Sequence, residues 1–178
     1  DDGLEITHED LASKVNTAID FDWNGNDNDP SPGPFDDHGT AVAGVAAAQG
    51  NNSLGVSGAA WDAELVGLRL IAGPVSDTDE AEALTHQPNL IDIYNNSWGP
   101  ADNGRISVIG PQALAALQQS ATTGRNGLGN IHTWAGGNGG DDTNDNVNYD
   151  PYANSRFTIA VGALTNSGVR SSYSDTGA

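Results

Sequence analysis

The sequence contains no cysteine, few basic residues and no long apolar run. The lack of cysteine among 178 residues excludes disulfides, a thiol nucleophile and a zinc finger. Only 6 Lys and Arg stand against 24 Asp and Glu, and the resulting net charge of −18 argues against nucleic acid, whose phosphates would be repelled. No stretch is long and apolar enough to predict a membrane span. The charge instead favours cationic partners, either metal ions or basic peptides.

Hydrophobic residues make up 37% of the chain and come in short runs bounded by Gly, Asn, Asp or Pro. The runs predicted as buried strands are 65–71, 90–94, 130–135 and 157–164. The patterns predicted as helices are 40–49, 79–86 and 111–123. Because strands and helices alternate, the sequence indicates one α/β domain with a mainly parallel sheet and no internal repeat.

Two short motifs place ionisable groups where chemistry could occur. Asp1-Asp2-Gly3 puts a carboxylate beside a turn, at the sheet edge where open α/β folds have their active sites. His38 opens an Ala- and Gly-rich helical segment that could hold its imidazole rigidly toward a cleft. Taken alone, the first motif is an ordinary turn, and a lone histidine is more often a surface residue than a catalytic one.

Two further motifs follow predicted strands. Residues 134–140 read Trp-Ala-Gly-Gly-Asn-Gly-Gly, so the side-chain amide of Asn138 could donate to a developing oxyanion, although a flexible turn is the alternative. Residues 95–100 read Asn-Asn-Ser-Trp-Gly-Pro. That segment could pair its backbone with an extended peptide, or could be a plain exit from a strand.

In this order, the four motifs resemble those of subtilisin-like serine proteases, whose triad runs Asp, His, Ser along the chain. The finer resemblance is to the kexin/furin-like branch, with Asp-Asp-Gly, His-Gly-Thr, Ser-Trp-Gly-Pro and Ala-x-Gly-Asn-Gly-Gly. It covers essentially all 178 residues. It implies a three-layer α/β/α fold with a mainly parallel sheet, incomplete in this chain, and a catalytic domain that residues 1–178 cover only in part.

The resemblance also implies catalytic roles. Asp1 would orient the imidazole, His38 would act as general base and then as acid, and Asn138 would donate to the oxyanion. The family's Gly-Thr-Ser-Ala motif, which carries the nucleophilic serine, does not occur among these residues. We expect that serine further along a longer polypeptide, and we expect the chain alone to be inactive.

Calcium is the cofactor that the resemblance implies, and it suits the acidic composition because hard cations prefer carboxylate and carbonyl oxygens. Three sites are expected. The first would use the side chains of Asp10 and Asn52 and the carbonyls of Gly50, Leu54 and Val56. The second would use Asp22, Asp27 and Asp29, for which a solvated acidic turn is the alternative. The third, near the specificity pocket, would use Asp102, Asp145 and Asp175, with Asp142 as a substitute for Asp145.

The resemblance implies cleavage after Arg or Lys, because Asp150 matches the acidic floor of the first specificity pocket and Asp102 lines the same wall. The positions expected to contact the rest of the peptide are Ser97, Trp98, Gly99, Pro100, Asp2, Asp36, Glu80 and Tyr152. One departure matters: Ile109 stands where furin-like enzymes carry an Asp before a Gly-Pro pair. A second basic residue in the substrate is therefore expected to be preferred and not required.

The absence of cysteine, together with this family, suggests a bacterial-type enzyme that is secreted or periplasmic and held together by calcium. Expected partners are peptides with basic residues, the remainder of its own catalytic domain, and a propeptide or chaperone. The main alternative is an inactive fragment or pseudoprotease that only binds peptide or calcium. An α/β hydrolase would need a Gly-x-Ser-x-Gly elbow, which is absent from the sequence. A calcium-binding adhesin would explain the Asp- and Asn-rich loops but not His-Gly-Thr or Gly-Gly-Asn-Gly-Gly.

Overall fold

Short parallel strands and intervening helices make up the structure, a computed structural model that describes residues 1–177. The chain divides into two units, Asp1–Ala83 and Leu84–Ala178. Among the described residues, no helix is long and apolar enough to cross a membrane.

The first unit pairs two very short strands in parallel. β1, Phe21–Asp22, lies beside β2, Leu68–Arg69, and Asp22 is opposite Arg69. Helix α1 spans His38–Ala47 and helix α2 spans Asp77–Leu84. The core of this unit is a buried cluster of Leu4, Leu11 and Ala48. The partly buried residues packed against it are Ile6, Val15, Ala43 and Leu65.

Helix α1 starts against the first residues of the chain because its second residue has no side chain. A Cβ on Gly39 would overlap the carbonyl oxygen of Gly3 and would lie 3.0 Å from the Cβ of Asp1. This close approach requires glycine, since any larger residue would push the helix away. The first turn of α1 is thereby fixed beside Asp1 and Asp2.

The second unit contains a three-stranded parallel sheet in the order β3-β4-β5. β3 spans Ile93–Asn96, β4 spans Ile131–Ala135 and β5 spans Ile159–Val161, with Ile93 opposite Ile131 and Thr133 opposite Ile159. Helix α3, Pro111–Gly127, connects β3 to β4. The short helix α4, Gly140–Thr143, and a 3₁₀ turn, Val147–Tyr149, lie between β4 and β5.

Helix α3 begins with proline at its first helical position, where the missing N–H costs nothing. It buries Ala113, Ala116 and Leu117 at the spacing of a helical face. Its regular part ends before Gly124, because Arg125 and Asn126 have positive φ angles of 51° and 57°. The predicted helix 111–123 therefore matches the regular part of α3.

The predicted elements are present, with shifted bounds and with less burial of the strands than predicted. Helices predicted at 40–49 and 79–86 begin two residues earlier than expected, and the run 65–71 is a strand only at Leu68–Arg69. β1 and α4 were not predicted, since two and four residues are too few to show a periodicity. β5 is exposed throughout and not buried as predicted.

A buried polar network joins α3 to β4. The amide nitrogen of Asn130 donates to the carbonyls of Pro88, at 2.9 Å, and Ile91, at 2.6 Å. Its oxygen therefore faces Ser120, whose hydroxyl donates to it at 2.9 Å. With the Ser120 hydrogen used, Nε2 of His132 is the donor in its 2.9 Å contact with Ser120 Oγ. This chain of bonds fixes the tautomer of His132.

Because His132 is buried in its neutral form, we predict that the protein loses stability in mild acid. A further proton would have to go on Nδ1, which is buried and has no hydrogen-bond partner among residues 1–177. Burial lowers the pKa of His132 from 6.5 to about 4, so the unfolded chain takes up this proton first as pH falls. The unfolding free energy therefore keeps the full contribution of neutral His132 above about pH 6.5. As the pH falls toward about 4, the unfolding free energy decreases by on the order of 3 kcal/mol.

Urea unfolding near pH 7 and near pH 4.5 measures this loss. His132→Gln cannot be protonated, so its unfolding free energy should fall less with acidification than that of the wild type. His86→Gln, in the same unit, is the matched control and should keep the wild-type dependence. Equal dependence in wild type and His132→Gln would show that other groups cause the acid sensitivity.

Candidate active site

Asp1 and His38 form a carboxylate–imidazole pair. Nδ1 of His38, the first residue of α1, lies 2.9 Å from Oδ1 of Asp1. The backbone of Asp1 is fixed to the strand region after β2, because Leu70 and Ile71 donate their N–H groups to its carbonyl at 2.9 and 3.2 Å. The Asp1 side chain is 13% exposed and that of His38 is 56% exposed. The imidazole can therefore present Nε2 to solvent while the carboxylate holds Nδ1.

The arrangement suits general acid–base catalysis. A carboxylate that accepts the Nδ1 hydrogen leaves the lone pair on Nε2 free to take a proton, and it stabilises the imidazolium that forms. The 2.9 Å separation lies within the hydrogen-bond range of about 2.6–3.2 Å that such a pair requires.

Asp2 caps helix α1, although it was predicted to face the substrate. Its two carboxylate oxygens accept the N–H groups of His38, at 3.2 Å, and Gly39, at 2.6 Å. Asp37, the residue just before the helix, makes no side-chain capping bond. A carboxylate at this end of a helix satisfies free N–H groups and favours the helix dipole. Asp2 thereby fixes the backbone of the residue that carries the imidazole.

Asp36 was also predicted to face the substrate, and the structure pairs it with a basic side chain instead. Its Oδ2 lies 2.9 Å from Nη2 of Arg69 and accepts the N–H of Gly33 at 3.1 Å. The positive charge that Asp36 was expected to find in a substrate is thus supplied from β2. Glu80, predicted near the fourth pocket, lies in the first turn of α2.

Residues of the first predicted calcium set lie close together, and the groups that contact the Asp10 carboxylate are nitrogen donors. Asp10, 2% exposed, accepts the side-chain amide of Asn52 at 2.6 Å and the N–H of Val56 at 2.9 Å. Oδ1 of Asn52 accepts the N–H of Leu54 at 3.0 Å, and the carbonyl of Gly50 accepts the Gln49 side chain at 3.3 Å. In the structure this loop holds Asp10 through hydrogen bonds, and calcium binding there stays a prediction.

The second predicted calcium set does not assemble among the described residues. Asp22 is paired with Arg69, whose Nη1 lies 2.8 Å from its Oδ2. Asp27 and Asp29 instead accept nearby N–H groups, from Asp29 and Ser31 respectively, at 2.9 and 3.1 Å. The three carboxylates do not form one of the clusters in which all ligand atoms lie within 4.8 Å of each other. The physical reason is that Arg69 already supplies a cation to Asp22.

The third predicted set does come together: carboxylate oxygens of Asp102, Asp145 and Asp175 lie within 4.8 Å of one another. Each carboxylate also accepts a backbone N–H: Asp102 from Asn138 at 3.0 Å, Asp145 from Gly104 at 3.0 Å, and Asp175 from Gly140 at 2.6 Å. Asp142, considered as a substitute for Asp145, is not a member of this cluster.

Two glycines make room for this cluster. A Cβ on Gly137 would overlap a carboxylate oxygen of Asp175, and one on Gly139 would come within 2.6 Å of the Cβ of Asp145. Burial raises the pKa of Asp175, and the nearby charges of Asp102 and Asp145 raise it further, against the Gly140 hydrogen bond. Three converging carboxylates with this mutual repulsion fit a hard divalent cation.

Asp150 is a half-buried carboxylate in the same unit. Its Oδ1 accepts the N–H groups of Tyr152, at 2.7 Å, and Ala153, at 3.2 Å. Burial raises the pKa of Asp150, and the charges of Asp102 and Asp145 add to the rise, while the two backbone bonds oppose it. A Cβ on Gly99 would lie 3.0 Å from Oδ2, so glycine allows this oxygen to approach the segment 97–100.

Aromatic rings support that segment. Trp98 contacts Trp134 edge to face at 4.6 Å, and Trp134 stacks on Tyr152 at 4.8 Å with 14° between the planes. Ser97 accepts the side-chain amide of Asn95 at 3.0 Å, and Pro100 ends the segment. Tyr152, predicted to border the fourth pocket, is buried in this cluster at 8% exposure.

Asn138 follows β4 on a glycine turn. Gly137 has φ +90°, a conformation that favours glycine, and it turns the chain immediately before Asn138. The backbone N–H of Asn138 is held by Asp102, while the residue itself is exposed. The carboxylate cluster therefore positions Asn138, and with it the side-chain amide, through the backbone N–H of this residue.

The residue that the sequence analysis missed is Arg69, because it belongs to none of the four motifs. A signal was available: it is one of only 6 basic residues and lies inside an apolar run.

The parallel α/β fold, with a carboxylate–imidazole pair at the start of a small-residue helix, defines a protein of the subtilisin-like serine protease class. A model of the peptidase S8 subtilase family matches residues 1–178, and the chain belongs to that family.

Relatives and solved structures refine this assignment. The chain is 44% identical over 179 residues to human proprotein convertase subtilisin/kexin type 6, with 97% of this chain and 18% of that protein covered. It is 45% identical over 177 residues to furin-like protease 2 of Drosophila melanogaster, covering 97% and 10%. A crystal structure of Aeromonas sobria serine protease in complex with a chaperone has a TM-score of 0.84 and 28% identity, covering 98% and 33%.

These similarities confirm the predicted kexin/furin-like resemblance and the predicted fold class. The chain spans less than a third of the length of these curated relatives. Bacterial origin stays a prediction.

Removing the Asp2 carboxylate should destabilise the protein through α1. Asp2→Ala leaves the N–H groups of His38 and Gly39 without their acceptors, so we expect a loss of about 1–2 kcal/mol in unfolding free energy. Asp2→Asn keeps an acceptor oxygen and should lose less. Urea titration at neutral pH measures both changes.

Asp37→Ala is the matched control, because Asp37 is the local capping position and makes no side-chain bond to the helix. It should change the unfolding free energy by less than about 0.5 kcal/mol. A larger loss for Asp37→Ala than for Asp2→Ala would contradict the assignment of the cap.

Proposed function

We propose that this chain is part of a calcium-dependent serine endopeptidase that cleaves peptide bonds after Arg or Lys. The observation that carries the proposal is the 2.9 Å contact between Asp1 Oδ1 and His38 Nδ1 at the start of α1, in a member of the subtilase family. In this proposal residues 1–178 are one part of the catalytic domain, and the nucleophilic serine is supplied from outside them.

The two residues would act in a fixed order. Nε2 of His38 takes the proton of the serine hydroxyl as the serine oxygen bonds to the peptide carbonyl carbon. The imidazolium, stabilised by Asp1, then gives that proton to the leaving amine, and the acyl-enzyme forms. Water, deprotonated by the same nitrogen, releases the acid product and restores the serine. The side-chain amide of Asn138 would donate to the oxyanion of each tetrahedral intermediate.

Preference for a basic residue is supported by Asp150. A half-buried carboxylate beside two other carboxylates is costly to keep ionised, so a cation that reaches it is bound favourably. Arg suits the site best because its fork can bind two oxygens, and Lys supplies a point charge. Segment 97–100, which precedes Asp102, would pair with the extended peptide.

Calcium would be held by Asp102, Asp145 and Asp175. When bound there it would supply positive charge to three converging carboxylates and tie together the loops that carry them. Because Asp102 also accepts the N–H of Asn138, that binding would help to hold the glycine turn after β4.

Secretion, and folding with a propeptide or chaperone, complete the proposal. They are supported by the relatives of the chain, which include proprotein convertases and an Aeromonas sobria protease crystallised with a chaperone.

Substrate preference tests the proposal in the full-length protein. Peptides that differ only in having Arg, Lys or Leu before the scissile bond should be cleaved in the order Arg, Lys, Leu. Asp150→Asn should lower kcat/KM for the Arg peptide by roughly 30- to 700-fold, about 2–4 kcal/mol, and change that for Leu little. His38→Ala should abolish cleavage of all three.

Asp92→Asn is the control, since Asp92 carries a charge in the same unit but pairs with Arg125 and is 72% exposed. It should leave the preference unchanged. Equal cleavage of Leu and Arg peptides by the wild type would contradict the basic specificity, and activity remaining in His38→Ala would contradict the mechanism.

Calcium should stabilise the protein, and the effect should depend on the third carboxylate set. Calcium at 100 times its dissociation constant adds about 2.7 kcal/mol to the unfolding free energy. The melting temperature should therefore rise with calcium and fall in excess chelator, more than with magnesium. Asp145→Asn and Asp175→Asn should each reduce this rise.

Asp29→Asn tests the alternative site in the loop after β1, and it should respond to calcium as the wild type does. The same melting temperature in calcium and in excess chelator would contradict calcium dependence. A response lost only in Asp29→Asn would move the site to that loop.

A further inference from the structure

Arg69 on β2 directs its guanidinium to three acceptors. Nε donates to the carbonyl oxygen of Asp2 at 2.9 Å, Nη1 to a carboxylate oxygen of Asp22 at 2.8 Å, and Nη2 to a carboxylate oxygen of Asp36 at 2.9 Å. The side chain is only 17% exposed. A guanidinium has a rigid plane, so three directed bonds fix the relative positions of all three segments.

Two of those segments carry the carboxylate–imidazole pair. Asp2 directly follows Asp1, and its carboxylate caps α1 at His38 and Gly39. Asp36 lies two residues before His38, in the loop that leads into the helix. Arg69 therefore connects the segment that carries the carboxylate to the loop that leads to the imidazole.

We propose that Arg69 is a positioning residue for catalysis, which holds the Asp1 carboxylate and the His38 imidazole at hydrogen-bond distance from each other. The inference rests on the proposed protease function. It gives Asp22 and Asp36 a role as counter-ions that orient the guanidinium, in place of the calcium-binding and substrate-binding roles expected from the sequence. Arg69 makes no bond to His38 and takes no part in proton transfer itself.

Lysine would not replace arginine here. An ammonium group could neutralise one carboxylate, but it cannot direct separate bonds from three fixed nitrogen positions. Neutral glutamine would also leave Asp22 and Asp36 partly buried without their cation. Both changes should let the two segments shift, and a misplacement of about 1 Å in a catalytic site costs around 100-fold in rate.

The test uses the full-length protein with an Arg peptide substrate and four variants. Arg69→Gln should lower kcat by about 10- to 100-fold with KM within about twofold, because the pair reacts and does not bind substrate. The loss of kcat should be smaller in Arg69→Lys than in Arg69→Gln. Asp36→Asn keeps an acceptor oxygen for Nη2 of Arg69, so its loss of kcat should be the smallest of the three. Assays run well below the melting temperature of the weakest variant, so that unfolding does not lower the rate.

Lys14→Gln is the matched control, because it removes an ion pair of the same unit, to Asp62, that is not connected to Asp1 or His38. It should keep the wild-type kcat. Wild-type kcat in Arg69→Gln, or a loss confined to KM, would overturn the positioning role while leaving the protease function intact. If Arg69→Gln does not fold, the same criteria apply to Arg69→Lys and Asp36→Asn. A wild-type protein that cleaves nothing would overturn the proposed function, and the role of Arg69 with it.

Discussion

A carboxylate that leaves water needs hydrogen-bond donors or a cation, and this chain has 24 acidic side chains for 6 basic ones. Backbone N–H groups are the hydrogen-bond donors to several of these carboxylates, as at Asp2, Asp10 and Asp150. The structure uses the guanidinium of Arg69 for the carboxylates of Asp22 and Asp36. Among the described residues, the cluster of Asp102, Asp145 and Asp175 combines three converging carboxylates with mutual repulsion, which supports the proposal of calcium there.

Much of the fold and part of the site could be predicted from sequence. Helix 111–123 has a proline start and a clear apolar face, and strand 130–135 is a short run bounded by Gly129 and Gly136, so both are local signals that packing did not override. The pairing of Asp1 with His38 came from the order of motifs and not from periodicity. Motif order also indicated Asp145 in the third carboxylate set, although loop length left Asp142 open.

The remainder could not be predicted because it depends on partners distant in sequence. Nothing local in the loop after β1 shows that Asp22 will face Arg69, 47 residues away. The spacing of Asp10 and Asn52 fits calcium, yet the orientation of one amide decides whether the carboxylate meets nitrogen or oxygen. Exposure of β5 likewise depends on what packs against its faces, which a pattern of three residues cannot indicate.

The cap of α1 comes from a residue 36 positions earlier in the chain, and this has a consequence for folding. Helix formation has a costly first turn, and a helix of ten residues rich in Ala and Gly is marginal by itself. Without a local cap, the first turn is stabilised only after the segment at Asp2 has docked. The imidazole therefore reaches its carboxylate in the same cooperative step that forms the helix. A partly folded chain would hold neither, so the carboxylate–imidazole pair would be absent until this unit is native.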